Sequence, residues 1–341
     1  MKTEELKRAD WWEPASDGKI LCTLCPRYCT IGEGQPGFCF IRKNIDGVLY
    51  STGYGHPTGF AIDPIEKKPL NHFLPGSNIL SFGTAGCNLG CRFCQNWLTS
   101  KAKLDDINSY TATPEDVVDL AKRHNVPSIA YTYNDPTIFG EYVIDVSRLG
   151  RSEGIKSIMV TAGYIDKNAR KDVYKYIDAA NVDIKAFTER FYKKLTLSSL
   201  SSVLDTLVWL KNDTDIWIEI TTLLIPGKND SANEIKTECN WIVENLGDSV
   251  PIHFTAFHPE FKMKDVSATP ASTLSMAQEI ASSEGIKYCY VGNVHDSKGQ
   301  TTYCPKCKTA LIKRDWHSVL SNKLIDGKCV ECGEKIDGHF C

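Results

Sequence analysis

Short apolar runs recur through the middle of the chain, and the stretches between them carry apolar residues at helical spacing. The runs at 79–85, 128–133 (SIAYTY), 156–162 (KSIMVTA), 181–187 (NVDIKAF), 216–225 (IWIEITTLLI), 251–257 (PIHFTAF) and 287–294 (KYCYVGNV) read as seven strands. Helices are expected near 114–125, 137–153, 166–180, 199–211, 231–246 and 270–284. The first of these is opened by Thr113-Pro114-Glu115-Asp116, where Thr suits the N-cap and Pro the first helical position. Strands that are apolar on both faces and alternate with helices imply right-handed βα units and a parallel sheet. More than five such units in series predict an α/β fold of the full or partial (βα)6-type barrel kind, with function at the carboxyl ends of the strands.

The two ends break this rhythm. Residues 1–75 are rich in Gly, Pro and Cys and poor in periodicity, as in GEGQPGFC and YGHPTGFAIDPIEKKP, and read as an irregular metal-binding cap. The barrel is expected over 76–298, and 299–341 form a short tail with two CxxC pairs. Composition adds limits. With 42% apolar and 24% charged residues in 341, the chain falls in the ordinary globular range, which excludes wholesale disorder. Its 39 basic and 42 acidic side chains leave −3, so no polyanion-binding surface dominates and no nucleic-acid partner is expected. No apolar run approaches the roughly 18–20 residues that span a bilayer, and MKTEELKRADWWE lacks a signal peptide's apolar stretch. A soluble cytoplasmic protein without a membrane partner is expected.

In a reducing compartment, 14 cysteines point to metal or redox chemistry rather than to disulfides. Eleven fall into three groups: Cys22, Cys25, Cys29 and Cys39; Cys87, Cys91 and Cys94; and Cys304, Cys307, Cys329 and Cys332. Cys239, Cys289 and Cys341 stand alone and read as small apolar residues. The central group, Cys87-Asn-Leu-Gly-Cys91-Arg-Phe-Cys94, directly follows the first barrel strand. Three thiolates are one short of a structural zinc site, whereas a [4Fe–4S] cluster on three cysteines keeps one iron open. Gly86 and Gly90 let this loop bend, and its main-chain N–H groups can point at sulfur.

This CxxxCxxC with the aromatic Phe93 before its last Cys resembles the signature of the radical S-adenosylmethionine (SAM) superfamily. The resemblance implies that the methionyl group of SAM chelates the open iron, that one electron cleaves the sulfonium, and that a 5′-deoxyadenosyl radical abstracts hydrogen from a substrate. The protein orients the cofactor and shields the radical from water. With IDPIEKKPLNHFLPGS, YTYNDPTIF, VDIKAF, EITTLLIPGKND, HFTAFHPEFK, YVGNV and the terminal CxxC pairs, nearly the whole chain resembles the radical SAM enzyme of the AmmeMemoRadiSam system. That family lies in the branch typified by pyruvate formate-lyase activating enzyme. It implies Memo-type and AMMECR-type protein partners, an electron donor of the flavodoxin or ferredoxin type, and a substrate that in activating enzymes is a protein backbone glycine.

The same resemblance assigns a SAM site. Asp183 and Lys185, alternate residues of VDIK, are similar to the Asp and Lys that face the methionyl group in activating enzymes. His253 of PIHFTAF resembles a His near the SAM ribose and adenine. Asn134 and Asp135 of YTYNDP stand where relatives carry Gly-Gly-Glu for the SAM amine, and Glu219 stands where they carry an Arg. Glu66, Lys67 and Lys68, stiffened by flanking prolines, are candidates for lining the substrate mouth.

The outer cysteine groups are complete foursomes. Cys304, Cys307, Cys329 and Cys332 suit structural Zn²⁺ in a ribbon-like tail whose folding the metal would support. That tail's 7 basic and 5 acidic side chains make a poor nucleic-acid surface. Cys22, Cys25, Cys29 and Cys39 suit either a second structural zinc or an auxiliary Fe–S cluster. The rival reading is a non-catalytic zinc-binding interaction module, which predicts zinc without iron. A SAM methyltransferase working without radicals ranks lower, because no G-x-G-x-x-G loop follows a strand.

Overall fold

The computed structural model describes residues 6–340; Cys341 lies outside the described residues. One sheet of eight strands organises the fold, in chain order: β1 (Thr58–Pro64), β2 (Asn78–Gly83), β3 (Ser128–Tyr131), β4 (Lys156–Thr161), β5 (Ala179–Asp183), β6 (Trp217–Leu224), β7 (Ile252–Ala256) and β8 (Cys289–Gly292). From β2 onwards every pairing is parallel, and these are the seven strands that the apolar runs predict. The end strands β1 and β8 do not pair, so the sheet is a partial barrel.

The connecting helices are α1 (Pro114–Arg123), α2 (Gly140–Ser152), α3 (Ala169–Val173), α4 (Leu200–Asp213), α5 (Ala232–Leu246) and α6 (Ala271–Ser283). Thr113 caps α1 as expected: its hydroxyl accepts from the Asp116 amide at 3.2 Å, and the Asp116 carboxylate accepts from its own amide at 2.8 Å. The helix expected over 166–180 shrinks to the five residues of α3. Asp166 delays its start by accepting from the Asn168 amide at 2.8 Å, and Ala179 and Ala180, good helix formers, are drawn fully buried into β5. Among the described residues no helix is long and apolar enough to cross a membrane.

Strand β1 lies within the stretch read as irregular and pairs antiparallel with β2, Pro64 facing Asn78. Its Gly, Pro and Asp hide the strand pattern. The rest of the N-terminal segment forms two small antiparallel sheets, of Lys7–Arg8, Val48–Ser51 and Arg42–Ile45, and of Trp12–Pro14, Ile20–Cys22 and Thr30–Ile31. Strands of two to four residues are too short to show alternation. Arg42, buried, ties this segment to α2 through Glu141 at 2.9 Å.

Residues 65–77 join β1 to β2 and therefore cross the amino-terminal end of the barrel. The Glu66-Lys67-Lys68 run, expected at the substrate mouth, lies here instead and is spent on ion pairs. Glu66 meets Arg314 of the tail at 3.4 Å, and Asp63 takes both Lys68, at 2.6 Å, and Lys67, at 2.9 Å. The tail forms a three-stranded sheet of Thr302–Tyr303, Ala310–Asp315 and Ser318–Asn322, and packs on Tyr288 and Tyr290 beside β8.

Candidate functional site

The loop Gly86–Asn96 follows β2 at the carboxyl end of the barrel, and two close approaches fix it. Gly86 has φ +82°, and a Cβ there would stand 1.9 Å from the Cys39 carbonyl oxygen. Gly90 has no such dihedral, but a Cβ would stand 2.6 Å from the Leu197 side chain. Around it the loop is held against residues 192–197, with the Gly90 amide donating to Thr196 O at 2.7 Å and the Arg92 amide to Leu195 O at 2.9 Å. Glycine therefore serves a turn at the first position and space at the second.

Cys87, Cys91 and Cys94 line one wall of a cavity of about 240 Å³, together with Phe93, which lies 5.7 Å, ring to ring, from Phe191. The Leu89 amide points at Cys87 Sγ at 3.4 Å, and Cys94 Sγ meets Ser100 Oγ at 3.1 Å. Burial pushes Cys87 up to about 11 and Cys91 up to about 12, the latter against the pull of Lys185. Such thiols give up their protons to a metal rather than to water. No three of these sulfurs crowd within 4.8 Å, so the loop leaves room for a cluster with one thiolate per iron. The residues present fit a [4Fe–4S] group on three cysteines.

Across the cavity, Asp183 ends β5 and its carboxylate binds the ammonium of Lys185. Burial alone would lower Lys185, but Asp183 and the Cys91 thiol outweigh it and hold the ammonium above its usual range. Asn134 and Asp135 also line the cavity, with their polar atoms already engaged. Asn134 accepts from the Thr84 amide at 3.2 Å and donates to Gly86 O at 2.7 Å, which anchors the start of the cysteine loop. Asp135 accepts from the Thr137 amide at 3.0 Å and the Ala162 amide at 2.9 Å. Burial holds its carboxyl above the ordinary value, and these donors only partly offset the rise.

His253 does not reach this cavity. In β7 it is two residues, roughly 6.6 Å, nearer the amino end than Thr255, which does line it. It bonds Glu219 at 2.6 Å and stacks on Tyr290 at 5.1 Å. Glu219, Thr221 and Leu223 alternate along β6, and only the last two reach the cavity. Thr221, Leu223, Thr255, Asn293 and Lys101 carry no motif of their own; strand alternation from Glu219 and His253 reaches the first three. Lys101 braces the cysteine loop by donating to Leu89 O at 2.6 Å, and no pattern signals it.

The tail cysteines converge. The sulfurs of Cys304, Cys307, Cys329 and Cys332 all lie within 4.8 Å of one another, and this foursome could hold one metal ion. The 13 described cysteines are all free of disulfides. Cys239, on α5, is fully buried in the core, and Cys289 packs against the same core.

The model of the radical SAM superfamily matches residues 82–237. An uncharacterized protein of Methanocaldococcus jannaschii is 43% identical over 97% of this chain and 99% of its own length. The pyruvate formate-lyase-activating enzyme of Clostridium pasteurianum is 22% identical over 54% of this chain and 81% of its own length. The crystal structure of a radical SAM methyltransferase from Sphaerobacter thermophilus shares the fold, with TM-score 0.52 at 15% identity over 64% of this chain and 67% of that one.

Proposed function

We propose that this chain, whose residues 82–237 match the radical SAM superfamily, is an activating-enzyme-like radical SAM enzyme acting on a protein substrate. When bound, the [4Fe–4S] cluster supplies one electron that cleaves SAM reductively to a hydrogen-abstracting 5′-deoxyadenosyl radical. Cys87, Cys91 and Cys94 would hold the cluster, and Asp183 and Lys185 would receive the methionyl amine and carboxylate. Asn134 acts by holding the cysteine loop, and Asp135 by fixing the backbone at Thr137 and Ala162, since their polar atoms are bonded within the chain. The observation that carries the reading is the single cavity that joins three spread thiols to the Asp183–Lys185 pair at the strands' carboxyl ends.

The finer parts of the proposal rest on resemblance. The motif set quoted above supports the AmmeMemoRadiSam assignment and, with it, Memo-type and AMMECR-type partners and a flavodoxin or ferredoxin donor. Similarity to a pyruvate formate-lyase-activating enzyme supports a protein substrate, and the family resemblance implies a backbone glycine as the hydrogen donor. The tail foursome is proposed to hold Zn²⁺. The test is release of 5′-deoxyadenosine from anaerobically reconstituted protein given SAM and dithionite. Cys91→Ala should abolish it while leaving the far-ultraviolet circular dichroism unchanged. Cluster-loaded protein that never releases the nucleoside would sink the proposal. Co-purification with Memo-type and AMMECR-type proteins tests the partner assignment.

A further inference from the structure

The N-terminal thiols are arranged unlike those of the tail. In the tail, Cys304 and Cys332 stand with sulfurs 3.6 Å apart, as do Cys307 and Cys329. One tetrahedral ion requires that spacing, since Zn–S bonds of about 2.3 Å set sulfurs roughly 3.8 Å apart. Among Cys22, Cys25, Cys29 and Cys39, no three sulfurs come within 4.8 Å of one another. Yet all four line one cavity, with Leu24, Ile31 and Ile138 as apolar walls. A tetrahedral ion needs all its sulfurs close to one another, a condition these four do not meet around their common cavity. An iron–sulfur cubane has no such requirement, because each thiolate binds a different iron. The loop thiols Cys87, Cys91 and Cys94 show the same open spacing.

The surroundings suit an anionic group. Arg27 and Arg42 line the cavity, where a cubane on four thiolates carries net negative charge. They also place it beside the first cluster's loop. Asn88, between Cys87 and Leu89, lines the same cavity, and its carbonyl accepts from Arg27 Nε at 3.0 Å. Cys25 packs in one apolar cluster with Cys87, Leu89 and Cys91.

We propose that Cys22, Cys25, Cys29 and Cys39 hold a second [4Fe–4S] cluster, ligated wholly by protein and seated against the loop of the first. With no iron open it binds no SAM; it is placed to accept an electron from a reduced low-potential donor and pass it to its neighbour.

The test is metal content and electron paramagnetic resonance of the Cys87→Ala, Cys91→Ala, Cys94→Ala triple variant, purified and reconstituted without oxygen. This variant removes the first site and leaves the N-terminal sheets alone. It should retain about four irons and four sulfides and, once reduced, give a cluster signal that SAM does not perturb. An iron-free variant, with or without a second zinc, overturns the proposal. Should the variant fail to fold, the wild-type chain decides the matter. About eight irons in two populations, only one of them SAM-responsive, supports the second cluster, and about four irons overturns it. Because these readouts do not use nucleoside release, their failure is distinguishable from failure of the SAM chemistry.

Discussion

Glu219 and His253 meet at 2.6 Å inside the barrel, neither more than 3% exposed. The carboxylate also accepts from the Asn71 and His72 amides, at 3.0 and 2.8 Å, and from Trp217 Nε1 at 3.1 Å. Four donors on one buried carboxylate clamp the 65–77 crossing under the sheet. Burial works against its charge, but His253, His72 and the Asn71 amide outweigh burial and hold the carboxyl below its usual range. The stability it contributes is therefore present at neutral pH and is lost as pH falls through that depressed value.

Glu219→Ala strands buried donors and should cost about 3–5 kcal/mol in denaturant unfolding, and Glu219→Gln, which keeps an acceptor, clearly less. His253→Ala should lower stability while leaving SAM affinity unchanged. A tenfold loss of affinity would return His253 to the SAM site.

Lys185→Met should weaken SAM binding about tenfold, near 1.4 kcal/mol, in an equilibrium titration of cluster-loaded protein. Asp183→Asn should weaken it similarly, because the two side chains form one pair on the cavity wall. Unchanged affinity in both variants would remove the pair from the site.

Glu238, buried in α5, has only the Thr222 hydroxyl as partner among the described residues, and burial pushes its carboxyl up to about 8. Unfolded, it ionises near the ordinary value of about 4.3, so between these limits the native chain holds a proton that the unfolded chain has released. Stability contributed by this group falls as pH rises through that window, by up to about 1.4 kcal/mol per unit. Glu238→Gln should flatten the slope, as read from urea midpoints at pH 5.5 and 7.5. An unchanged slope would mean that Glu238 is already ionised in the fold.

Stripping metal from the tail should destabilise more than the tail. Arg314 is buried, and it bonds Glu66 at 3.4 Å, the Asn71 carbonyl at 2.8 Å and Thr302 at 2.9 Å. A chelator that unfolds residues 302–340 takes the Arg314 guanidinium away from Glu66 and from the Asn71 carbonyl of the crossing. The melting temperature of the whole chain should fall by several degrees, with deuterium uptake rising in 65–77 as well as in the tail. Uptake confined to the tail would show that the crossing holds without it.

The barrel was legible because each parallel strand is buried on both faces and so appears as an apolar run, from Ile79–Phe82 to Tyr290–Val291. The cysteine loop was legible from spacing and from its place after the first such run. What could not be read was depth. Alternation puts Glu219, Thr221 and Leu223 of β6 on one face, but only pairing to the neighbouring strands shows that Glu219 lies at the closed end. His253 was misplaced for the same reason, being one pleat too deep. Short strands such as Thr30–Ile31 escape any periodicity, since two residues cannot alternate. Nor does cysteine count distinguish a tight foursome from an open one.

The contact between the Cys39 carbonyl and Gly86 has a bearing on maturation. A segment some 50 residues upstream supplies part of the mould in which the cysteine loop is cast, so the order of that segment bears on the shape of the loop. A barrel expressed from residue 58 onward would lack the Cys39 wall at Gly86, and iron would be offered to three cysteines whose loop is held only from the barrel side, by Asn134, Lys101 and residues 195–196.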